Sequence, residues 1–469
     1  MPGVDAIFLR PSHFNVFVDS FFEACTIAFN TRTGAFRALD EKAYADFLNL
    51  IEQAQTDKLP NTPGASSFID ELYQDGFFVA DDLNERRLFQ DKYKESQAKG
   101  RGLALTIAPT VNCNFGCTYC FQDHQNRQMS DQDQWAVVRH VEENLEENSS
   151  LSITWFGGEP LLAFSKVESL AQTLLEIAEA RQCSFHQTMI TNGYLLNKKR
   201  AQALANFKNL AYIQITLDGP AEHHDQRRVT VGKGKPTFKK ILDNVCDAAS
   251  QIPITLRVNI DKSNVDGLET LVDEIVGRGL VDKVHLYLGH TLPYTETCAD
   301  VEQTALSREQ FAVIEARFKL YMIQRGFRNV VALPRPNLGN LCIADLPNGR
   351  VISPGGAVFK CWNETTLPKA EATAFLGSDG VAKSSNNDRD KQWQSFDPFA
   401  HTPCQSCNVQ PLCKGGCPWE ALKNTTSEPG HCTPLRWSLP DILRLYHLET
   451  TVQTSLKARC NDRTAYPCP

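Results

Sequence analysis

Six apolar runs that alternate with helical segments between residues 103 and 290 constrain the fold of this chain more than any other feature. The runs are LALTIAPT, LSITWFGG, FHQTMITNG, YIQITLDG, ITLRVNI and KVHLYLGH, and stretches such as QDQWAVVRHVEENLEE and SKVESLAQTLLEIAEAR lie between them. Apolar strands that alternate with helices predict a parallel α/β sheet, either open or curled into a partial barrel. Glycine and polar residues follow the strands, and we therefore expect the functional site at the carboxyl ends of the sheet.

Composition points to a cytoplasmic protein and against nucleic acid as a partner. The 469 residues carry a formal net charge of -7, and Lys and Arg are dispersed rather than gathered into a basic face. The N-terminal residues lack the basic and apolar regions of a secretion signal, and no apolar run reaches the ~20 residues of a membrane span. We therefore expect a cytoplasmic location without membrane contact.

The sixteen cysteines need a role other than cross-linking, because disulfides are rare in the cytoplasm. Three of them follow the first predicted strand in TIAPTVNCNFGCTYC, as Cys113-x3-Cys117-x2-Cys120. A structural zinc site and a ferredoxin cubane each use four protein ligands, so three thiolates leave one metal position open to a substrate or cofactor. A zinc site completed by a distant His or Cys is the alternative.

This arrangement, with Tyr119 before the last cysteine, resembles that of the radical S-adenosylmethionine (SAM) enzymes. In that family three cysteines hold a [4Fe-4S] cluster, and the amino and carboxylate groups of SAM bind the remaining iron. The resemblance implies a partial (β/α)6 TIM-like barrel over residues 101–330. It also implies that SAM is cleaved to a 5′-deoxyadenosyl radical, which abstracts hydrogen from a substrate, with Tyr119 beside the cofactor.

Further segments resemble the SAM contacts of this family. WFGGEP matches a turn that contacts the SAM amino group, and glycine carbonyls and a carboxylate can accept hydrogen bonds from an ammonium. TNG and TLDGP resemble the ribose and methionine contacts, although such turns are also common at strand ends. Arg228 is a candidate clamp for the SAM carboxylate, whereas His223 and His224 are expected at the surface. The resemblance thus implies SAM contacts at Gly157, Gly158, Glu159, Pro160, Asn192, Asp218 and Arg228.

Seven more cysteines lie between residues 342 and 432, in LCIADLPNGRVISPGGAVFKCW, CQSCNVQPLCKGGC and GHCTP. This array resembles the SPASM extension of a subset of radical SAM enzymes, which carries two auxiliary iron-sulfur clusters. By resemblance, the ligands of one are Cys404, Cys407, Cys413 and Cys432, and those of the other are Cys342, Cys361 and Cys417. Zinc ribbons are the alternative for four of these cysteines. We expect the domain over residues 331–437, folded around metal centres rather than an apolar core, before a helix and tail over 438–469.

Two positions depart from the pattern of sulfatase-maturating relatives. Those enzymes carry an extra cysteine shortly before the first of the seven, where this chain has Pro336. Either a more distant residue such as Cys298 completes the three-cysteine set, or one iron there is open to substrate. The relatives also place an Asp, which serves as their base, after the cysteine that corresponds to Cys361, where this chain has Trp362. That difference weakens a formylglycine-forming interpretation.

Residues 1–95 predict a small α+β domain. FNVFVD, CTIAFN and AFRAL are strand-like, a helix follows Asp40, a second helix ends at Gly76, and residues 84–100 form a solvated helix or linker. This order loosely resembles the winged-helix, leader-recognition domains of peptide maturases, where a leader segment adds a strand to an exposed edge. The alternative is that the unit only packs against the barrel. Elsewhere, Cys25, Cys183 and Cys246 are expected in the core, and Cys460 and Cys468 are expected to have no role.

The combined resemblance predicts a maturase that abstracts hydrogen from a residue of a ribosomally made precursor peptide. Its product would be a thioether or carbon-carbon crosslink, an epimer or a related oxidation. The expected cofactors are three [4Fe-4S] clusters and SAM, and the expected partners are a precursor peptide with a leader and an electron donor such as flavodoxin or ferredoxin. The alternatives are a maturase of a folded protein, such as a sulfatase or a quinone-bearing dehydrogenase subunit, and a non-enzymatic iron-sulfur electron carrier.

Overall fold

The computed structural model describes residues 7–57, 59–61, 67–100, 102–232, 234–336, 342–423 and 431–461. The N-terminal unit contains two antiparallel sheets, of order β5-β1-β6 and β2-β3-β4. Helix α1 begins after Asp40, whose carboxylate accepts the N–H of Ala43 at 2.8 Å, and Phe47 on its inner face is fully buried. The strands are β1 Ile7–Pro11, β2 Asn15–Asp19, β3 Thr26–Asn30, β4 Phe36–Leu39, β5 Leu59–Asn61 and β6 Phe78–Ala80, and the helices are α1 Glu41–Thr56, α2 Ser67–Gln74 and α3 Glu85–Lys99.

This unit differs from the sequence expectation in two ways. The sequence predicted β2, β3 and β4, whereas β1, β5 and β6, which form the second sheet, were not expected. Strands β5 and β6 have only three residues each, too few to show alternation, and β1 pairs with both of these distant segments. Segment 84–100 contains the expected helix, but α3 is not simply solvated, since Phe89 and Tyr93 are buried against Phe399 with ring centroids 5.5 and 5.3 Å from it. The N-terminal unit is therefore packed onto the C-terminal part of the chain.

Six parallel strands form the centre of the molecule and lie side by side in chain order. Their carboxyl ends are level, since Trp155 of β8 is paired with Ile107 of β7 and with Met189 of β9. The predicted parallel α/β sheet is thus confirmed, and its consecutive strand order is that of part of a βα barrel. The strands are β7 Leu103–Ile107, β8 Ser150–Trp155, β9 Ser184–Thr191, β10 Leu210–Thr216, β11 Ile254–Ile260 and β12 Val284–His290.

The helices between and after these strands cover the central sheet with apolar faces. Capping boxes start two of them, at Ser130 with Asp133 and at Ser307 with Gln310. The helices are α4 Asp131–Asn144, α5 Phe164–Ala180, α6 Lys198–Ala205, α7 Ala221–Arg227, α8 Phe238–Ala248, α9 Leu268–Gly277, α10 Val301–Thr304 and α11 Arg308–Gln324. Within the described ranges, no helix combines the length and apolar character needed to cross a membrane.

The C-terminal part extends the central sheet to ten strands. Strand β13 lies parallel to β7, with Gly349 paired to Ala104, and three antiparallel strands follow it. Val351, Phe359 and Ala372 belong to an apolar core here, so the expectation of a segment without such a core was wrong. The elements are β13 Gly349–Ser353, β14 Ala357–Phe359, β15 Ala374–Leu376, β16 Ala382–Ser384, α12 Asp388–Gln394, α13 Gln410–Cys413, α14 Pro418–Lys423 and α15 Leu435–Asn461.

Candidate functional site

The loop between β7 and α4 carries the first of three groups of cysteines. This first cysteine group comprises Cys113, Cys117 and Cys120. Two backbone hydrogen bonds attach the loop to the chain around the end of α7: the N–H of Gly116 donates to the carbonyl of Val229 at 2.9 Å, and the N–H of Thr118 donates to that of Arg227 at 3.0 Å. The cysteines are half-buried at the carboxyl edge of the sheet, as the sequence predicted for the site.

The surroundings of the first cysteine group oppose ionisation of its three thiols. Burial raises the pKa of Cys113, and the charges of Glu159, Cys117 and Cys120 raise it further. Burial and the charge of Cys117 raise the pKa of Cys120 to about 12. Burial also raises the pKa of Cys117, where Arg228 acts in the opposite direction. Three thiolates that oppose one another's ionisation fit a bound metal group, which would supply the missing positive charge.

The Gly157-Gly158 turn after β8 packs directly against the loop of the first cysteine group. The N–H of Gly158 donates to the carbonyl of Thr110 at 3.1 Å. A Cβ on Gly158 would come within 2.6 Å of the carbonyl carbon of Asn112, so a larger residue cannot approach the loop this closely. Pro160 then starts a short 3-10 helix, Pro160–Ala163. The turn therefore brings backbone groups beside the cysteines.

Glu159 is fully buried and joins the ends of β8 and β9. Its carboxylate accepts hydrogen bonds from the hydroxyl of Thr191 at 2.7 Å, the N–H of Asn192 at 2.7 Å and the N–H of Leu161 at 2.9 Å. Burial raises the pKa of Glu159, and these hydrogen bonds together with the charge of Arg228 lower it. Both carboxylate oxygens are thus engaged within the protein.

Asn192 lies between the end of β9 and the first cysteine group. Its Nδ2 donates to Oδ1 of Asn114 at 2.9 Å and lies 4.0 Å from Sγ of Cys113. Its Oδ1 accepts the N–H of Tyr194 at 3.0 Å. The side chain is therefore held next to the thiol by neighbours on both sides.

A buried polar network links Tyr119 to the ends of β10 and β11. The Tyr119 hydroxyl donates to Oδ2 of Asp218 at 2.5 Å and accepts from Nη1 of Arg228 at 2.5 Å and from Nδ2 of Asn259 at 3.2 Å. The backbone N–H of Asn259 donates to the other carboxylate oxygen of Asp218 at 3.0 Å. The structure thus brings together Tyr119, Asp218 and Arg228, three of the residues selected from the sequence.

Arg228 has the properties of an anion-binding residue. Its side chain is buried, and its Nε has no hydrogen-bond partner in the part of the chain that the structure describes. Burial opposes its charge, but Cys117, Tyr119 and Asp218 raise its pKa well above the usual value. A buried guanidinium with a free N–H beside the cysteines fits a carboxylate ligand, such as the one that SAM would bring.

His224 is a site residue whose position the sequence analysis predicted wrongly. It was expected at the surface but is completely buried, because α8 packs Phe238 against its ring at 5.6 Å. Its Nδ1 accepts the N–H of Asp218 at 3.2 Å, so the proton is on Nε2, which donates to Thr237 Oγ1 at 3.1 Å. Burial and the nearby arginines lower its pKa well below the usual value. Thr237 donates to the carbonyl of Arg228, so His224 helps to position the arginine.

The second cysteine group comprises Cys342, Cys361 and Cys417. Burial raises the pKa of Cys361 well above its usual value, and Glu364, Cys417 and Cys342 add to this effect. Glu364 also fixes the segment, because its carboxylate accepts the N–H of Cys361 at 3.0 Å, Nη1 of Arg389 at 3.0 Å and Nε1 of Trp393 at 3.1 Å. The structure thus brings these three cysteines close enough to influence one another.

The third cysteine group comprises Cys404, Cys407, Cys413 and Cys432, which line one cavity. Burial and the other thiols raise the pKa of Cys404 to about 11 and that of Cys413 to about 12. Gln410 and Thr433 line the same cavity, and their buried Nε2 and Oγ1 atoms have no hydrogen-bond partner among the described residues. The sulfides of an iron-sulfur cluster would provide acceptors for these donors, so the residues fit such a group.

The spacing of the sulfur atoms distinguishes a cluster from a single zinc ion. Zn–S bonds are near 2.3 Å, so the thiolates of a tetrahedral zinc site lie about 3.8 Å apart. Among the residues that the structure describes, the three ligand atoms found within 4.8 Å of one another belong to Glu23, Cys25 and His447. The three cysteine groups are more widely spaced, which suits a larger metal cluster.

Contacts between loops connect the first and second cysteine groups. Nε2 of Gln122, just after the first group, donates to Oγ1 of Thr365 at 2.9 Å, just after Cys361. The ring of Trp362 lies 5.7 Å from that of Phe156, which precedes the Gly157-Gly158 turn. Trp362 is 38% exposed and Phe156 is buried, so the indole is the accessible part of the aromatic wall that these two rings form between the two groups.

Cys298 lies near the first cysteine group. It is buried, its Sγ is 3.4 Å from the carbonyl of Thr295, and its charge contributes to the raised pKa of Cys120. The hydroxyl of Thr295 donates to the carbonyl of Phe121, which follows Cys120 directly. The suggestion that Cys298 completes the second group stays a prediction.

The other cysteines divide into described and undescribed positions. Cys25, Cys183 and Cys246 were expected in the core but are only partly buried. The side chains of Cys460 and Cys468 lie outside the described residues.

Comparison with protein families matches residues 107–275 to the Radical SAM superfamily. PqqA peptide cyclase of Bradyrhizobium diazoefficiens is 22% identical over 361 residues, which cover 72% of this chain and 87% of that protein. A cysteine-type anaerobic sulfatase-maturating enzyme of Clostridium perfringens is 30% identical over 148 residues, covering 30% of this chain and 39% of the enzyme. The chain spans 59% of the length of an uncharacterized protein of Methanocaldococcus jannaschii and 34% of one from Synechocystis.

Among solved structures, native anSMEcpe with bound AdoMet and Kp18Cys peptide is similar, with a TM-score of 0.56 and 19% identity. The superposition covers 75% of this chain and 99% of the other. This likeness supports the fold of the central sheet and its flanking elements.

Proposed function

Because residues 107–275 match the Radical SAM superfamily, we propose that this chain uses SAM to abstract hydrogen from a residue of a ribosomally made peptide. The observation that carries this proposal is the meeting of three elements at one sheet edge. These are the first cysteine group, the Gly157-Gly158 turn and the buried Arg228. A [4Fe-4S] cluster bound by the three cysteines would supply the electron for reductive cleavage of SAM.

The protein's own residues would bind and orient SAM in this proposal. Arg228 is the partner for its carboxylate, with Tyr119 and Asp218 fixing the guanidinium. The Glu159 carboxylate is engaged by three protein donors, so we assign contact with the SAM ammonium to the carbonyls of the Gly157-Gly158 turn. Asn192 remains our candidate for the ribose and methionine contacts, whereas we now assign Asp218 to holding Tyr119, because protein donors engage both of its carboxylate oxygens.

The second and third cysteine groups fit a SPASM extension. In the proposal they hold two auxiliary clusters, which, when bound, would accept the electron that an oxidation leaves behind. The unpartnered donors of Gln410 and Thr433 support a sulfide-rich group in the third cysteine group. Cys342 is exposed, so the second group is the more accessible of the two to a substrate.

Several observations support a peptide as the substrate. The relative aligned over 361 residues is named PqqA peptide cyclase. The aromatic wall of Trp362 and Phe156 offers an apolar surface for a side chain of a peptide. Among the described residues, each three-stranded sheet of the N-terminal unit ends in edge strands that pair on one side only, and a leader segment could add a strand to such an edge. A crosslink made in this way removes two hydrogen atoms from the peptide, whereas epimerisation leaves the mass unchanged.

Maturation of a folded protein is the second candidate. The 30% identity to the sulfatase-maturating enzyme of Clostridium perfringens favours it. Trp362 argues against a sulfatase substrate, because an indole cannot act as the base that an Asp provides at the corresponding position.

The proposal is tested with the full chain, purified and reconstituted without oxygen. We expect about twelve irons per chain and release of 5′-deoxyadenosine from SAM after reduction. Cys113→Ala should abolish release of 5′-deoxyadenosine. Cys404→Ala should still release 5′-deoxyadenosine but form no peptide product. Cys246→Ala changes a cysteine outside all three groups and should retain both the release and the product.

The possible outcomes separate the candidates. Iron without SAM cleavage would indicate an electron carrier, and a zinc-loaded chain without iron would indicate a scaffold. With cleavage established, mass spectrometry of a precursor peptide encoded beside the gene, and of a sulfatase peptide, distinguishes the two substrate classes. Turnover of the sulfatase peptide alone would contradict the first candidate.

A further inference from the structure

Three potential metal ligands outside the three cysteine groups meet where the N-terminal unit contacts the C-terminal helix. Glu23 and Cys25 lie in the turn between β2 and β3, and His447 lies on α15. Nε2 of His447 is 3.1 Å from Oε2 of Glu23 and 3.6 Å from Sγ of Cys25, and all three atoms lie within 4.8 Å of one another. His447 is buried, Cys25 is half-buried and Glu23 is exposed. The three side chains therefore converge on one point at the edge of the interface.

The packing around this point holds the turn against the helix. The ring of Phe36 lies 5.2 Å from that of Tyr446 and 6.2 Å from that of His447. Nε of Arg444 donates to the carbonyl of Asp19 at 2.9 Å, at the start of the turn. The positions of the potential ligands are thus set by contacts other than the ones that they make with one another.

The two distances from His447 match those of a tetrahedral zinc site. With Zn–N near 2.0 Å and Zn–S near 2.3 Å, tetrahedral angles place a nitrogen about 3.5 Å from a sulfur and about 3.3 Å from a carboxylate oxygen. The observed separations from His447 Nε2, 3.6 Å to Cys25 and 3.1 Å to Glu23, are close to both values.

Hydrogen bonding alone accounts less well for the same geometry. A neutral imidazole nitrogen carries either one hydrogen or one lone pair, and here Nε2 faces two partners at once. A metal ion at the centre would satisfy both contacts. Its two positive charges would also balance the thiolate of Cys25 and the carboxylate of Glu23, while the nearby Arg444 is already paired with Asp441 at 2.9 Å.

We propose that Glu23, Cys25 and His447 bind a zinc ion that fastens the β2–β3 turn of the N-terminal unit to α15. Three protein ligands leave the fourth position to water, consistent with the exposure of Glu23. The site is separate from the three cysteine groups and does not depend on the proposed function. Unlike a closed structural zinc site with four protein ligands, it keeps one position open to solvent, and it joins two parts of the chain that lie more than four hundred residues apart in sequence.

The test uses the full chain with its iron-sulfur clusters loaded, so that the ten cysteines of the three groups are occupied. One equivalent of zinc is added without oxygen, unbound metal is removed by gel filtration, and zinc and iron are measured together. We expect one retained zinc per chain with no loss of iron. Zinc-edge X-ray absorption should then show one sulfur at about 2.3 Å and the remaining ligands as nitrogen or oxygen.

Substitutions separate this site from the others. Cys25→Ala and His447→Gln should lose the zinc, and Glu23→Gln, at an exposed position that tolerates change, should weaken binding by about tenfold or more. Cys246→Ala, another half-buried cysteine, should retain zinc as the unchanged chain does. Iron content of each variant shows whether it has folded.

Three results would overturn the proposal. These are no retained zinc in the iron-loaded chain, a zinc environment with three or four sulfurs, and zinc retention that Cys25→Ala and Glu23→Gln leave unchanged. A sulfur-rich environment would place the metal in one of the three cysteine groups instead.

Discussion

Arg228 is the residue on which binding of SAM should depend most directly. Replacing Arg228 by Gln keeps hydrogen-bonding capacity but removes the buried positive charge that would face the carboxylate of SAM. We expect a cost of about 2–4 kcal/mol, or roughly 30- to 1000-fold weaker SAM binding, measured by equilibrium dialysis with the cluster-loaded chain. Tyr119→Phe, which removes one contact of Arg228 but leaves its charge, should have a smaller effect. Unchanged binding by Arg228→Gln at full iron content would contradict this role.

His290 should make the fold less stable in mild acid. Its Nε2 donates to the carbonyl of Leu306 at 2.8 Å, its ring stacks on Phe311, and burial lowers its pKa to about 4. The unfolded chain takes up this proton near pH 6.5, so stability is full above that value and falls below it. His290 alone should cost about 0.8 kcal/mol between pH 8 and pH 6.

Urea unfolding at the two pH values measures this effect. His290→Gln retains a donor for the carbonyl of Leu306 but cannot take up the proton. Between pH 8 and pH 6, its free energy of unfolding should therefore fall by about 0.8 kcal/mol less than that of the unchanged chain. Equal losses in both proteins would show that His290 is not responsible.

His224 and Glu159 show which side-chain positions the sequence does not reveal. In AEHHDQRR, His224 has polar neighbours and reads as exposed, but its burial is decided by Thr237 and Phe238, which come from the next helix. Glu159 was expected to face SAM, and its carboxylate is engaged by three donors of the chain, two of them at the end of β9. Local sequence predicts the type of group at a strand end, but long-range packing decides which atoms remain free.

At the scale of elements, the Gly157-Gly158 turn should tolerate no side chain at its second position. Gly158→Ala would push Cβ into the backbone at Asn112 in the loop of the first cysteine group, at a cost of about 1–3 kcal/mol. We expect loss of iron from this group and weaker SAM cleavage, measured by iron analysis and 5′-deoxyadenosine release.

Gly116→Ala is the matched control for this change. Gly116 lies in the same loop, and a Cβ there would meet no atom within 4 Å. It should therefore retain both iron and cleavage. If the two variants behave alike, the close approach at Gly158 is not what the site requires.

The sequence predicted long, regular elements well and short ones poorly. Strands β7–β12 were recognisable because they are five to eight apolar residues long and alternate with helices. Strands β13–β16 escaped because they are three to five residues long, and β13 depends on a partner, β7, from the distant start of the sheet. Strand pairing between distant segments leaves little trace in either sequence.

At the scale of the whole molecule, the N-terminal unit and the third cysteine group share one apolar core. Phe29 of β3 is fully buried in a cluster that includes Val409 just before α13, Leu412 within α13 and Leu443 of α15. Phe29→Ala should cost about 3–5 kcal/mol and loosen the cavity of the third cysteine group. We expect this variant to lose about one third of its iron, one cluster of three, during anaerobic gel filtration.

Phe47→Ala provides the comparison for Phe29→Ala. Phe47 is equally buried, but it belongs to a separate core inside the N-terminal unit. Its loss should destabilise that unit while leaving iron content near that of the unchanged chain. Equal iron loss in both variants would mean that the third cysteine group depends on the stability of the whole N-terminal unit rather than on the contacts of Phe29.

The parallel pairing of β13 with β7 has a consequence for how the polypeptide is made. Strand β7 leaves the ribosome early, yet its outer neighbour is synthesised only after the entire α/β region is complete. Until then β7 has unpaired backbone groups on one side, and such an edge readily joins other chains. A fragment truncated at residue 330 should therefore aggregate, and a fragment that folds independently must extend at least through residue 353.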